Sequence, residues 1–170
     1  EFYPYSDSSR EALVNAINSY HAGSKFNELR KTSKKYLDLY PKDKNASFAK
    51  YMVGMSYFEQ IIDVERDQGA TRDSIIEFSE LIELYPKSKY VLKAKRNISI
   101  AKSQLAGQEV AVGRYYLKRN NPLSAINRFK TVIDDHKNTP YYPEALFRSI
   151  EAYAMLGVNY KVIGYVKILQ

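Results

Sequence analysis

The strongest constraint on this chain is a dipeptide that keeps returning at the end of an apolar segment of helical period. Tyr-Pro occurs at Tyr3-Pro4, Tyr40-Pro41 and Tyr85-Pro86, and nine residues after each tyrosine stands an alanine: Ala12, Ala49 and Ala94. Counting back the same distance from Ala145 reaches His136-Lys137, a degenerate fourth anchor. Seventeen residues after the anchor come Tyr20, Tyr57 and Tyr153, but after Tyr85 that place holds Lys102. The tyrosine arrives later, as Tyr116 in Gly113-Arg114-Tyr115-Tyr116, so extra helix is inserted there.

Gly113, Tyr116, Ala125, Phe129 and Lys137 have the internal spacing of a tetratricopeptide repeat of about 34 residues. Gly54 and Tyr57 open the same pattern, with roughly eight additional residues before Phe78 and Pro86. Small residues (Gly54, Gly113, Ala49, Ala145) let paired helices approach, tyrosine and phenylalanine fill the space between pairs, and proline stops each second helix. The fold expected is all-α, with tetratricopeptide-like helical hairpins stacked into a right-handed solenoid of about four repeats. The repeats are placed at 6–41, 44–86, 102–137 (preceded by an extra helix at 88–101) and 140–170. Helices are expected at 6–22, 25–39, 44–63, 71–85, 88–118 with Gly107 as a candidate break, 121–136, 140–156 and 159–170. Ala22-Gly23-Ser24, Asn120-Asn121-Pro122 and Gly157-Val158-Asn159 carry turn signals, and Asp63–Arg72 is expected as one long polar loop.

Composition narrows the chemistry. The chain has no cysteine, which removes disulfides, thiolate nucleophiles and cysteine-type zinc sites. No apolar run is long enough to span a membrane, and no leader opens the chain. Glu1-Phe2-Tyr3-Pro4 reads as the end of a helix, so a preceding segment is expected to be missing. The formal charge of +7 allows an anionic partner. The densest basic stretches are Lys31/Lys34/Lys35 and Lys87/Lys89/Lys93/Lys95/Arg96; a solvated helix face is the leading reading and an electrostatic docking site the other.

Two histidines, His21 and His136, cannot assemble a triad or a multi-histidine metal site. His21 fits a helix end and His136 the packing position of the repeat tyrosine, which argues against Asp134-Asp135-His136 as a metal cluster. Glu65, Arg66, Asp67, Arg72 and Asp73 suit a salt-bridged loop better than acid/base work, which needs a desolvated pocket. There is no phosphate-binding glycine motif, and the sequons at Asn45 and Asn97 fall in or at helices. The pairs Tyr115-Tyr116 and Tyr141-Tyr142 each leave one ring to spare for a surface, but nucleic-acid binding is not expected because repeat packing claims most of the sixteen tyrosines. No cofactor, metal or catalytic residue is expected.

Tyr51-Met52-Val53-Gly54-Met55, Arg66-Asp67-Gln68, the segment Phe78 to Ser88 ending Leu-Tyr-Pro-Lys-Ser, Val112-Gly113-Arg114-Tyr115-Tyr116 and Ala125-Ile126-Asn127-Arg128-Phe129 together resemble the BamD (ComL-type) family of outer-membrane assembly lipoproteins. The resemblance runs from about Tyr3 to the end and includes both length insertions. It implies a non-catalytic scaffold at the periplasmic face of a Gram-negative outer membrane, anchored through an N-terminal lipid on a cysteine that this sequence lacks, along with most of the first repeat. The implied partners are the BamA barrel subunit, other assembly lipoproteins and the targeting segments of unfolded outer-membrane proteins. For an extended, aromatic-ended peptide with a carboxylate, the candidates are Tyr20, Lys25, Tyr51, Met55 and Phe58. Arg128 matches an arginine the family turns toward BamA, where a guanidinium suits bidentate pairing. A generic tetratricopeptide adaptor for another peptide or protein is the alternative reading.

Overall fold

The computed structural model describes residues 7–61 and 68–169. The first anchor, Tyr3-Pro4, and the loop residues Asp63 to Asp67 lie outside the described residues. Among the described residues are eight helices and no strand: α1 (Asp7–Ala22), α2 (Phe26–Leu39), α3 (Ala46–Phe58), α4 (Gly69–Leu84), α5 (Val91–Lys118), α6 (Pro122–Asp135), α7 (Tyr142–Met155) and α8 (Asn159–Leu169). They pack as consecutive helical hairpins of the tetratricopeptide kind.

Three spans differ from the expected ones, each for a local reason. α3 stops at Phe58, well before residue 63, because Gln60 turns back and donates its side-chain amide to the Ser56 carbonyl. α4 starts earlier than expected, so Gly69 to Arg72 form its first turn and not the end of a loop. There the Thr71 hydroxyl donates to Gln68 Oε1 at 2.8 Å, and the Arg72 N–H to the Gln68 carbonyl at 3.0 Å. α5 runs unbroken through Gly107, over which the Tyr141 ring lies so closely that an added Cβ would meet it at 2.9 Å.

The anchors share one geometry. Tyr40, Tyr85 and His136 end α2, α4 and α6 with φ of −134°, −130° and −129°, each donating its N–H to the carbonyl four residues back. In each case the anchor carbonyl then accepts from the third residue on: Asp43 (3.1 Å), Ser88 (2.9 Å) and Thr139 (3.1 Å). Those three polar side chains close the linker by bonding Asn45 N–H, Tyr90 N–H and the His136 carbonyl respectively. The other kind of turn is also repeated. Lys25, Asn121 and Val158 donate their N–H to the carbonyls of Tyr20, Tyr116 and Tyr153, with Ser24, Asn120 and Gly157 at φ of 52°, 55° and 70°. This six-residue closure is the Schellman motif, and Tyr116 thereby stands in the same structural place as Tyr20 and Tyr153.

The chain divides into two compact units. The first holds α1 to α4 and α5 as far as Ala101, and the second runs from Lys102. In the first unit α1 packs on α2, α2 on α3 and α3 on α4, with α1 also touching α3. Its core has two centres: Ile17, Leu29, Tyr36, Ala49 and Met52, then Phe78, Leu81 and Ala94. The second unit packs α6 on α7 and α7 on α8 around Ala106, Val110, Ala125, Phe129, Val132 and Leu146. Ala49, Ala94 and Ala145 of the register are fully buried, whereas Ala12 is exposed.

Gly54 and Gly113 have the same task in the two units. A Cβ on Gly54 would lie 2.5 Å from the Phe78 ring, and one on Gly113 closer still to the Phe129 ring. Both rings are fully buried, each worth about 1.5–3 kcal/mol of apolar burial. The first unit also buries a charge. Lys50, between α3 and α4, donates to Glu77 at 2.6 Å and Glu80 at 2.5 Å, and Lys34 approaches Glu77 at 3.5 Å. Burial alone would lower the Lys50 pKa, but the two carboxylates outweigh it and raise it.

Candidate partner-binding surfaces

In the first unit Tyr51, Met55 and Phe58 lie along α3, and all three pack on the Phe78 centre. Tyr51 stacks on Tyr90 with centroids 5.0 Å apart and tilts against Phe78 at 5.6 Å; Phe58 meets Phe78 edge-on at 6.0 Å. Asn97 on α5 donates its amide toward both the Tyr51 hydroxyl (3.4 Å) and the Met55 sulfur (3.3 Å). Burial pushes the Tyr51 hydroxyl pKa up, so it stays a neutral donor. All three α3 side chains remain half-exposed, so the cluster offers apolar edges with one hydroxyl and one amide among them.

Tyr20 and Lys25 belong to the neighbouring α1–α2 turn. Tyr20 is half-buried against the Ile17 centre, while Lys25 is exposed and joined to Tyr20 through the backbone. Close by in sequence, His21 at the end of α1 meets Glu59 at 2.9 Å, and Arg30 lies 3.7 Å over the Tyr57 ring while donating to Ser56 Oγ at 3.1 Å. Sequence reasoning gave His21 only a helix-end role, weighed Asn97 only as a sequon and missed Arg30. Those contacts join residues 26 to 46 apart, which no local spacing reveals.

In the second unit Arg128 stands on α6 and pairs with Glu109 of α5, Nη1 to Oε2 at 3.3 Å. The arginine side chain is 46% exposed and the glutamate 16%, so the half-buried carboxylate holds one edge of a guanidinium that remains largely open to solvent. A second group of charges lies at the ends of α5 and α7. There a cleft of about 220 Å³ is lined by Arg114, Leu117, Lys118, Arg148, Glu151 and Met155. Glu144 bonds Arg114 at 3.1 Å, and Glu151 bonds Arg148 at 2.9 Å, which raises the pKa of Arg148.

The remaining sequence candidates fall into place individually. His136 is half-buried at the α6 stop while Asp134 and Asp135 are exposed, so the three do not converge. Arg72 and Asp73 lie in α4, and Glu65, Arg66 and Asp67 are outside the described residues. Tyr115 is 51% exposed, as expected of a spare ring. The Tyr141-Tyr142 pair has none to spare: both rings pack against the second core, Tyr141 because Gly107 leaves room for it. No helix among the described residues is long and apolar enough to cross a membrane.

Comparison with known proteins gives this arrangement a family. A family model described as YfiO, outer membrane lipoprotein, matches residues 1–165. The chain is 38% identical over 169 residues to the outer membrane protein assembly factor BamD of Caulobacter vibrioides, covering 96% of this chain and 55% of that protein. It is 32% identical over 167 residues to the BamD of Rickettsia prowazekii, covering 98% and 66%, and 27% identical over 165 residues to that of Neisseria meningitidis serogroup A, covering 91% and 62%. The chain thus spans between about half and two thirds of the length of these relatives. With nearly every residue inside the family match, the chain belongs to the YfiO/BamD family of outer membrane lipoproteins.

Proposed function

We propose that this chain is a non-catalytic scaffold for outer-membrane protein assembly. Its second unit holds a BamA-type barrel subunit and its first unit receives the targeting segments of unfolded outer-membrane proteins. It works at the periplasmic face of the outer membrane beside other assembly lipoproteins, and needs neither cofactor nor nucleic acid. Family membership supports the assembly role, since the relatives are named as assembly factors.

The observation that carries the residue-level reading is Arg128. Glu109 orients the guanidinium without enclosing it, leaving donors free for the fork-to-carboxylate pairing that arginine makes well. On the first unit, Tyr51, Met55 and Phe58 supply apolar edges for an extended segment, and Tyr20 with Lys25 supplies a ring and a cation for its aromatic end and carboxylate.

The test is co-purification and titration with the periplasmic fragment of a BamA-type subunit. Arg128→Glu should weaken binding by at least about tenfold, or roughly 1.4 kcal/mol. Glu109→Gln frees the guanidinium and should leave binding unchanged or tighter. Equal binding by the wild type and Arg128→Glu, with the helical content intact, would remove Arg128 from the interface.

A further inference from the structure

The positive charge of the chain is concentrated in one segment. Residues 84–108 contain six Lys/Arg and no Asp or Glu, against a net charge of +7 for the whole molecule. The repeat register adds to this. Lys42 and Lys87 stand two residues after Tyr40 and Tyr85, and Lys44 and Lys89 four residues after them. The two linkers that carry these lysines lie side by side in the first unit: the Tyr85 hydroxyl donates to the Pro41 carbonyl at 3.2 Å, and the Tyr90 ring packs on Phe48 at 5.9 Å.

The lysines of both linkers are exposed, and so are Lys93, Lys95 and Arg96 on the first turns of α5. None of these seven forms an ion pair among the described residues. Cations at the start of a helix oppose its dipole, and the first turn of α5 carries no acidic residue to offset them. Set among them, Leu92 is 79% exposed, and Ile100, two turns on along the same face, is 41% exposed. An apolar side chain standing clear of a lysine ridge fits a bilayer interface: the ammonium groups meet lipid phosphates and leucine enters the acyl boundary. Six of the seven cations are lysine, a flexible point charge, where a shaped protein or base-reading site would favour the arginine fork.

We infer that this ridge, formed by the Tyr40 and Tyr85 linkers and the outer face of α5 from Leu92 to Ile100, docks on an anionic phospholipid surface. The contact is independent of any covalent lipid and of the assembly role proposed above. Family membership places the chain among outer membrane lipoproteins, within reach of such a surface.

The experiment is flotation of this chain, carrying no lipid, with phosphatidylcholine vesicles and with vesicles that also contain phosphatidylglycerol. Binding is expected only to the anionic vesicles and should weaken with salt. Lys87→Gln/Lys89→Gln/Lys93→Gln should lose roughly a hundredfold in affinity. Lys118→Gln/Lys161→Gln/Lys167→Gln, with the same net charge, should lose little. The chain has no tryptophan, so Leu92→Trp is a lone reporter whose emission should shift to the blue on anionic vesicles. Equal losses in the two triple variants, an unshifted reporter, or capture by polyglutamate with no vesicle binding would each overturn the inference, the last in favour of an acidic polypeptide.

Discussion

Gly54 and Gly113 show how much one missing methyl group decides. Each lies in a helix interior, where alanine would raise helix propensity by about 1 kcal/mol. Each also lies against a buried phenylalanine that leaves no room for a Cβ. Overpacking of this kind costs about 1–3 kcal/mol, so the clash wins or nearly cancels the gain. Gly54→Ala and Gly113→Ala should therefore lower stability by up to about 2 kcal/mol in urea unfolding, Gly113→Ala the more because its ring is closer. A stabilising alanine at either position would show that the helices can separate freely. Both glycines and both phenylalanines were visible in the repeat register, but the contact of each ring with its glycine was not, because the two come from different helices.

His136 makes a second residue-scale prediction. It fills the place of Tyr40 and Tyr85, yet its buried Nδ1 meets no hydrogen-bond partner among the described residues. Burial, with Lys102 adding to it, lowers its pKa below the ordinary 6.5, against the weaker pull of Asp135 and Glu109. The folded state then binds fewer protons than the unfolded state, so this group's contribution to stability is present above pH 6.5 and is lost as the pH falls through the folded pKa. Asp43 acts lower on the scale. Burial would raise its pKa, but the Tyr36 hydroxyl, the Asn45 N–H and Arg10 outweigh that and depress it below 3.8. Its contribution is present above that carboxyl range and lost on further acidification. In a His21→Gln background, His136→Tyr should flatten the stability profile just below pH 6.5 and leave the acid limb in place. An unchanged slope in chemical-denaturation curves would exclude His136 as its source.

At the scale of elements, the repeat is a pair of turns as much as a pair of helices. The anchor turn was legible because proline and tyrosine mark it, and the periodicity located every helix. The polar closure at Asp43, Ser88 and Thr139 was not legible, because three different side chains bond it in three different ways. Ala22-Gly23-Ser24 marked the hairpin turn, but not which of its residues takes the left-handed conformation, which is Ser24 and not Gly23. That conformation costs a side chain about 1–2 kcal/mol, offset by about 0.5–1 kcal/mol of glycine entropy. Ser24→Gly should thus stabilise the chain by roughly 0.5–1 kcal/mol, while Gly157→Ala, the reverse exchange at the matching turn, should cost a similar amount. Thermal melts of the two variants moving in the same direction would contradict the shared turn. The sequence left open whether α5 runs on through Gly107, since Tyr141, which covers it, lies more than thirty residues away.

At the scale of the whole molecule, the proposed scaffold role rests on how the polar and apolar groups are distributed. Internal polar contacts such as those of Lys50 on α3 with Glu77 and Glu80 on α4 tie helices together. The outward groups are apolar edges, single cations and Arg128, which suit polypeptide and surface contacts. The most direct test is site-specific photo-crosslinking in cell envelopes, with the crosslinker placed at Arg128 or Phe58 of this chain. A BamA-type subunit should be captured from position 128 and unfolded outer-membrane proteins from position 58. Capture of neither, or of one unrelated protein from both positions, would contradict the assembly scaffold.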